Sequence, residues 1–211
     1  FGTPYVTILA NNGLGSFFTG RRDFALTQKP NKFAFADLNM AAFGLNLVVT
    51  NGLQITVKTD NFVGLFGNRT NIATQGVPTS LVLGNTDAKN GDDIIITIKG
   101  QKLLKIYPNG GFGNFSSANN LVLNGSTNDL SYLKETARIV VVNTEQDNIS
   151  VYDTVNGVAV WNSNHTTIIG PERSEVGDVT DNSFSDVVVS NGKRITVWRA
   201  DGTGGLALSD D

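Results

Sequence analysis

The chain has no cysteine, one histidine and one methionine in 211 residues, and only 17% of it is charged. Without cysteine, neither a disulfide framework nor a thiolate metal site can be built. With His165 alone, neither a histidine-based catalytic triad nor a His-ligated zinc site can be assembled from this chain. No run approaches about 18 consecutive apolar residues, so no transmembrane helix is readable. No amphipathic helix is evident either. The chain opens with Phe1-Gly2 rather than Met, which reads as a processed or partial chain from which any signal peptide is already gone.

What is abundant is β-branched, Asn, Thr, Ser and Gly sequence, in a chain that is 40% hydrophobic. That composition is globular and turn-rich rather than disordered. Net charge is −3, spread unevenly: residues 1–105 hold 10 Lys/Arg against 6 Asp/Glu (+4), and residues 106–211 hold 6 against 13 (−7). The acidic balance opposes phosphate contacts, and Arg21-Arg22 and Lys193-Arg194 are isolated basic pairs, so nucleic acid is not an expected partner. The asymmetry between halves can orient head-to-tail association, or simply reflect solvated surface.

A repeat organises the chain. Leu47-Val48-Val49, Ile94-Ile95-Ile96, Ile139-Val140-Val141 and Val187-Val188-Val189 recur at spacings of 47, 45 and 48 residues. A second strand follows each: Ile55-Thr56-Val57, Leu104-Lys105-Ile106, Ile149-Ser150-Val151 and Ile195-Thr196-Val197. An extra copy of the second strand, Val6-Thr7-Ile8, stands 49 residues before Ile55. The first strand is apolar throughout, as required where neighbouring sheets cover both faces, and the second alternates. Turn signals such as Asn51-Gly52, Asn109-Gly110, Asn191-Gly192 and Asp201-Gly202 bound them. Units of about 47 residues with four short strands are the blades of an all-β propeller. The layout predicts one domain over 1–211: a half blade at 1–32 and full blades near 33–79, 80–125, 126–173 and 174–211. A five-bladed closure by strand exchange is disfavoured, because both ends offer the same strand. The half blade instead leaves edges open to self-association, or to completion as part of a larger ring.

In Val6-Thr7-Ile8-Leu9-Ala10-Asn11-Asn12-Gly13-Leu14-Gly15-Ser16-Phe17 a strand runs into glycines and an aromatic that follow a fixed N-x-G-x-G-x-F order. Tyr107 to Phe115 and Arg199 to Gly205 are looser versions. In these phrases the chain resembles the FG-GAP/VCBS repeat, a family that includes integrin α heads and propeller lectins. The loops Gly177 to Asp186 and Gly84 to Asp93 match the family's acidic G-D-x-N-x-D-G-x-x-D loop in length. The resemblance implies a secreted or cell-surface propeller used for adhesion, recognition or assembly, without fixing a ligand. Carried over residue by residue, it also implies a calcium site at Asp178, Thr180, Asn182, the Phe184 carbonyl and Asp186, with Ser183 replacing the usual glycine. A weaker one follows at Asn85, Asp87 and Asp93, where Lys89 occupies a ligand position. The loops at Asp37-Leu38-Asn39 and Asp129-Leu130-Ser131 end in Asn46 and Arg138 and are not expected to bind. The alternative for all four is that Asp and Asn cap tight turns.

For a carbohydrate-binding variant the aromatic candidates are Trp198, Trp161 and Tyr152. Trp198 follows the alternation of its strand and reads equally as inter-blade core. No aromatic-plus-polar pocket phrase repeats in every blade, as multivalent lectins would have it. A propeller glycosidase or lyase fragment would need a carboxylate pair; Asp92 and Asp93 are adjacent and would point to opposite faces of a strand. Five sequons, at Asn68, Asn114, Asn124, Asn148 and Asn164, permit glycosylation in a secreted chain, with Asn148 the least accessible because it precedes a strand. The expectation is a non-enzymatic, extracellular binding or assembly module whose partners are glycans, proteins or further copies.

Overall fold

The computed structural model describes residues 2–9, 13–17, 20–38, 45–60, 66–89, 91–111 and 113–209. Ala10, Asn11, Asn12, Asn39, Asn90 and Phe112 of the repeat phrases lie outside the described residues, as do the side chains of Asp60, Phe66 and Asn68.

Among the described residues, eighteen strands and one three-residue 3₁₀ turn (Thr144–Gln146) follow one another along the chain. Strands β1 (Tyr5–Ile8) and β2 (Arg22–Ala25) form a two-stranded sheet. Four antiparallel sheets of four strands follow, each a meander in sequence order. Blade 1 is β3 (Pro30–Ala36), β4 (Asn46–Asn51), β5 (Gln54–Asp60) and β6 (Phe66–Ala73). Blade 2 is β7 (Pro78–Gly84), β8 (Asp93–Ile98), β9 (Leu103–Tyr107) and β10 (Asn119–Val122). Blade 3 is β11 (Thr127–Leu133), β12 (Arg138–Asn143), β13 (Asn148–Val155) and β14 (Val158–Thr166). Blade 4 is β15 (Arg173–Gly177), β16 (Asp186–Ser190), β17 (Ile195–Ala200) and β18 (Leu206–Leu208). The first strands of blades 1, 2 and 4 therefore start at Pro30, Pro78 and Arg173, slightly ahead of the boundaries drawn from the repeat. The proline ring suits a strand start, where no ladder donor is needed.

The two recurring sequence phrases are the second and third strands of each blade, and Val6-Thr7-Ile8 lies in β1, the third-strand position of the half blade. In the second strands β4, β8 and β12 nearly every residue is buried, because blades stack on both faces. Each blade has an upstream face, toward the preceding sheet, and a downstream face. Downstream Val48, Ile55 and Val57 of blade 1 meet upstream Leu81, Ile94 and Ile96 of blade 2. Ile95, Leu104 and Ile106 meet Leu130, Tyr132, Ile139 and Val141 of blade 3. Val140, Val142 and Ile149 meet Val187, Val189 and Trp198 of blade 4. Each fully buried aliphatic contributes about 1.5–3 kcal/mol relative to exposure, so the seams between blades, rather than any one sheet, hold the array together. The half blade makes a smaller seam, with Val6, Ile8 and Leu26 against Leu47 and Val49.

The first strands are innermost: β3 packs beside β7, β7 beside β11, and β11 beside β15. β15 and β3 do not pack in this way, and the ring is not closed among the described residues. Across the axis Lys32 reaches from blade 1 to Asp129 of blade 3, at 3.7 Å. Asp129 also accepts the Ser174 backbone N–H of blade 4 at 3.2 Å, and the Ser131 and Ser174 hydroxyls are 2.6 Å apart.

Candidate interaction surfaces

The acidic loop of blade 4 folds around Asp186, which is buried at the start of β16. One Asp186 oxygen accepts the N–H groups of Val179 and Thr180 and the Thr180 hydroxyl, at 3.0, 3.0 and 2.9 Å; the other accepts the Ala200 N–H at 2.9 Å. Burial alone would raise this carboxyl, but the N–H and hydroxyl donors outweigh it and hold its pKa below the ordinary value. Asp178 accepts the N–H groups of Asn182 and Ser183 at 2.9 and 2.8 Å. Asn182 accepts the Phe184 N–H and donates to the Ala200 carbonyl.

Blade 2 repeats the arrangement. Asp93 accepts the N–H and hydroxyl of Thr86 on one oxygen and the Asn109 N–H, at 2.7 Å, on the other. Here burial is the largest influence and pushes the carboxyl up. Asn85 donates to the Lys89 carbonyl, Asp87 accepts the Lys89 N–H at 2.9 Å, and the Lys89 ammonium lies 3.8 Å from Asp87. In both loops the carboxylates that the family resemblance assigns to calcium accept from N–H and O–H donors of the loop or of the neighbouring chain segment, while Asn85 Oδ1 is buried with no hydrogen-bond partner among the described residues. Among the described residues no cluster of three or more acidic or histidine side chains converges. The carboxylates of both loops are placed as turn clamps.

Asn46 and Arg138 hold the clamp position in the other two blades. Arg138 donates to Asp153 at 2.6 Å and to the Gly204 carbonyl, so it ties blade 3 to the Asp201-Gly202 turn of blade 4. That turn is also closed from below by the Phe184 ring. Gly202 sits at φ +75°, and a Cβ there would lie 2.3 Å from Phe184.

The three candidate aromatics do not form one site. Trp198 is 8% exposed and belongs to the seam between blades 3 and 4, its ring centroid 5.0 Å from that of His165. Tyr152 is buried in the seam between blades 2 and 3. Trp161 pairs with Tyr152 across the outer strands but is 58% exposed, and its indole N–H donates to Asn164 at 3.4 Å. His165 is half-buried beside Trp198, and burial lowers its pKa. Of the sequons, Asn114, Asn124 and Asn164 are exposed, and Asn148 is half-buried with its oxygen taken by Asn143 at 2.7 Å. Asn68 lies within β6, but its side chain is outside the described residues.

Two surfaces that the sequence did not announce stand out at the ends of the array. On the upstream face of blade 1, Phe33 is 65% and Phe35 45% exposed. The position of Phe33 on the ladder is held by Leu81, Leu130 and Ser174 in the other blades, all of them buried. On the downstream face of blade 4, Ile195 is 70% exposed, whereas its counterparts Ile55, Leu104 and Ile149 are fully buried. Val188 and Val197 of the same face are partly uncovered, and the exposed side chains of Glu175 and Arg199 flank them. Phe33, Phe35 and Glu175 all border an axial cavity of about 380 Å³.

No protein-family model and no curated protein matches this chain. Solved structures do. BBS1N in complex with ARL6DN, from a mercury-soaked crystal, superposes with a TM-score of 0.68 at 15% identity, over 98% of this chain and 60% of that one. A lead-soaked crystal of the same complex gives 0.63 at 17% identity, over 83% and 54%. Hsv2p of Kluyveromyces lactis gives 0.55 at 11% identity, over 96% and 61%. The fold is a β-propeller. The chain spans between 54% and 61% of the length of these propellers, and identities this low speak to fold alone.

Proposed function

We propose that this chain is an extracellular, non-enzymatic propeller module of FG-GAP/VCBS type that engages other polypeptides through the uncovered end faces of its blade array. The observation that carries this reading is Ile195: a residue buried in every other blade stands exposed on blade 4, on a face ringed by Val188 and Val197. A contiguous apolar face of this kind is a binding surface or an aggregation hazard. Glu175 and Arg199 flank it with opposite charge and have no ion-pair partner among the described residues, so two copies can meet face to face with each glutamate near the other's arginine. The placement outside the cell rests on the family resemblance, with exposed Asn114, Asn124 and Asn164 available to glycosylation there. The absence of chemistry is part of the same reading: His165 is tucked against Trp198, and Asp93 and Asp186 are occupied as clamps.

Light scattering over a hundredfold range of concentration tests the assembly. The expected mass exceeds 22.5 kDa, rises with concentration, and returns to the monomer in Ile195→Lys. A strict monomer throughout would overturn self-assembly through this face. A second reading, carbohydrate recognition, is favoured by Trp161 alone, whose exposed ring lies beside Asn164; saturable glycan binding lost in Trp161→Ala would support it.

A further inference from the structure

The opposite end of the array has a different vacancy, and the repeat itself shows its shape. In blades 2, 3 and 4 the inner part of the upstream face is covered by the first two strands of the preceding blade. These are the antiparallel hairpins β3–β4, β7–β8 and β11–β12, which present Val48, Ile95, Val140 and Val142. Blade 1 is preceded by β1 and β2, which occupy the third- and fourth-strand positions only. They cover Leu47 and Val49 and leave Phe33 and Phe35 open.

β1 is also an open edge. Its register with β2 pairs Val6 with Phe24 and Ile8 with Arg22, and the Leu26 N–H donates to the Pro4 carbonyl at 2.7 Å. In an antiparallel ladder alternate residues are hydrogen-bonded pairs. The N–H and C=O groups of Val6 and Ile8 therefore face β2, and those of Tyr5 and Thr7 face away from it. Among the described residues no strand pairs with β1 on that side. An unpaired edge beside an uncovered apolar face calls for strands, which supply backbone partners and side-chain cover together.

We infer that the free edge of β1, with Phe33 and Phe35 behind it, is a docking site for an antiparallel β-hairpin from a polypeptide segment outside residues 1–211. Its second strand pairs with Tyr5 and Thr7, and its Val- or Ile-rich face lies on the two phenylalanines. This rests on the reading of the chain as a module that binds polypeptides, and it names the partner's chemistry at one end. A second copy is not the occupant, because among the described residues its first and second strands are already built into blades. The similar propellers, of which this chain spans between 54% and 61%, have length enough for such additional strands.

The probe is a fluorescein-labelled synthetic peptide of residues 127–143, the β11–β12 hairpin that performs this covering for blade 4. It is titrated into the Ile195→Lys variant, so that association through the blade 4 face cannot contribute. Saturable anisotropy change is expected, together with slowed amide exchange at Tyr5 and Thr7. Phe33→Asp with Phe35→Asp should weaken binding by roughly tenfold or more, while Phe33→Leu retains it. Both phenylalanines are exposed, so the substitutions leave the seams intact, which circular dichroism verifies. No binding at millimolar peptide, or binding that is indifferent to the Asp variants and leaves Tyr5 and Thr7 exchange unchanged, overturns the hairpin site. Self-assembly of the unmodified chain through Ile195 would survive either result, and loss of that assembly would leave the hairpin site standing.

Discussion

Replacing Asp186 by alanine removes in one step the acceptor of four hydrogen bonds that pin the Val179–Thr180 turn to the end of β17. The cost is dominated by the Ala200 N–H, because Ala200 is buried and water cannot replace the carboxylate there. An orphaned buried donor costs about 1–3 kcal/mol. Val179 is exposed and Thr180 half-buried, so their groups partly recover water and together add about 1–2 kcal/mol. A total near 3–4 kcal/mol is a large share of the roughly 5–15 kcal/mol that holds a domain folded. With a urea slope of about 2 kcal/mol/M, the midpoint should fall by about 1.5–2 M. Trp198 sits opposite Val187, the residue after Asp186, so its fluorescence reports the blade directly. Asp93→Ala, which loses the equivalent clamp in blade 2, should behave alike. Each titration is run with calcium and with chelator. If Asp186→Ala left the midpoint and slope unchanged, the clamp would be refuted. If calcium raised the native midpoint and the variant lost that gain, the loop would be a metal site instead.

Other outcomes follow from the same geometry. Burial lowers the pKa of His165, so the folded chain binds that proton less readily than the unfolded chain. Its contribution to stability should be full above about pH 6.5 and decline as pH falls below that value, and His165→Gln should flatten this slope in pH-dependent melting. Asp186, whose pKa is lowered, should give a second loss of stability as pH falls below about 4; Asp186→Asn should remove it. Arg138→Ala should cost about 2 kcal/mol by cutting the tie from blade 3 to the Gly204 carbonyl, read as faster amide exchange across residues 201–205. Gly202→Ala should destabilise through both its positive φ and its clash with Phe184, with a double-mutant cycle against Phe184→Ala isolating the clash.

The period carried much of the fold. Spacing of Leu47, Ile94, Ile139 and Val187 placed the second strand of each blade, because only a strand sandwiched between sheets can be apolar on both faces. What spacing could not carry was contact at a distance. Phe33 reads like Leu81 and Leu130 in pattern, and only the missing neighbour makes it exposed. Lys32 and Asp129 are far apart in sequence and meet because two blades share an axis. The acidic loops were legible as loops. Whether a carboxylate there faces a cation or its own backbone depends on rotamers that spacing does not encode. The open end could have been suspected from the half blade. Naming Phe33 and Phe35 required aligning the first strands as well as the second and third.

Because the ring is not closed among the described residues, each blade leans mainly on its neighbours in sequence, with Lys32 and Asp129 meeting across the axis. Stability is therefore shared more as in a stack than in a hoop. The half blade leans on one neighbour, through Val6, Ile8 and Leu26. It is therefore the place where opening costs least, and it is also the place with a free strand edge. Any partner that adds strands there thickens the thinnest seam in the stack, so occupancy would be felt as rigidity of the whole upstream end. Recognition and completion of the fold then become a single event.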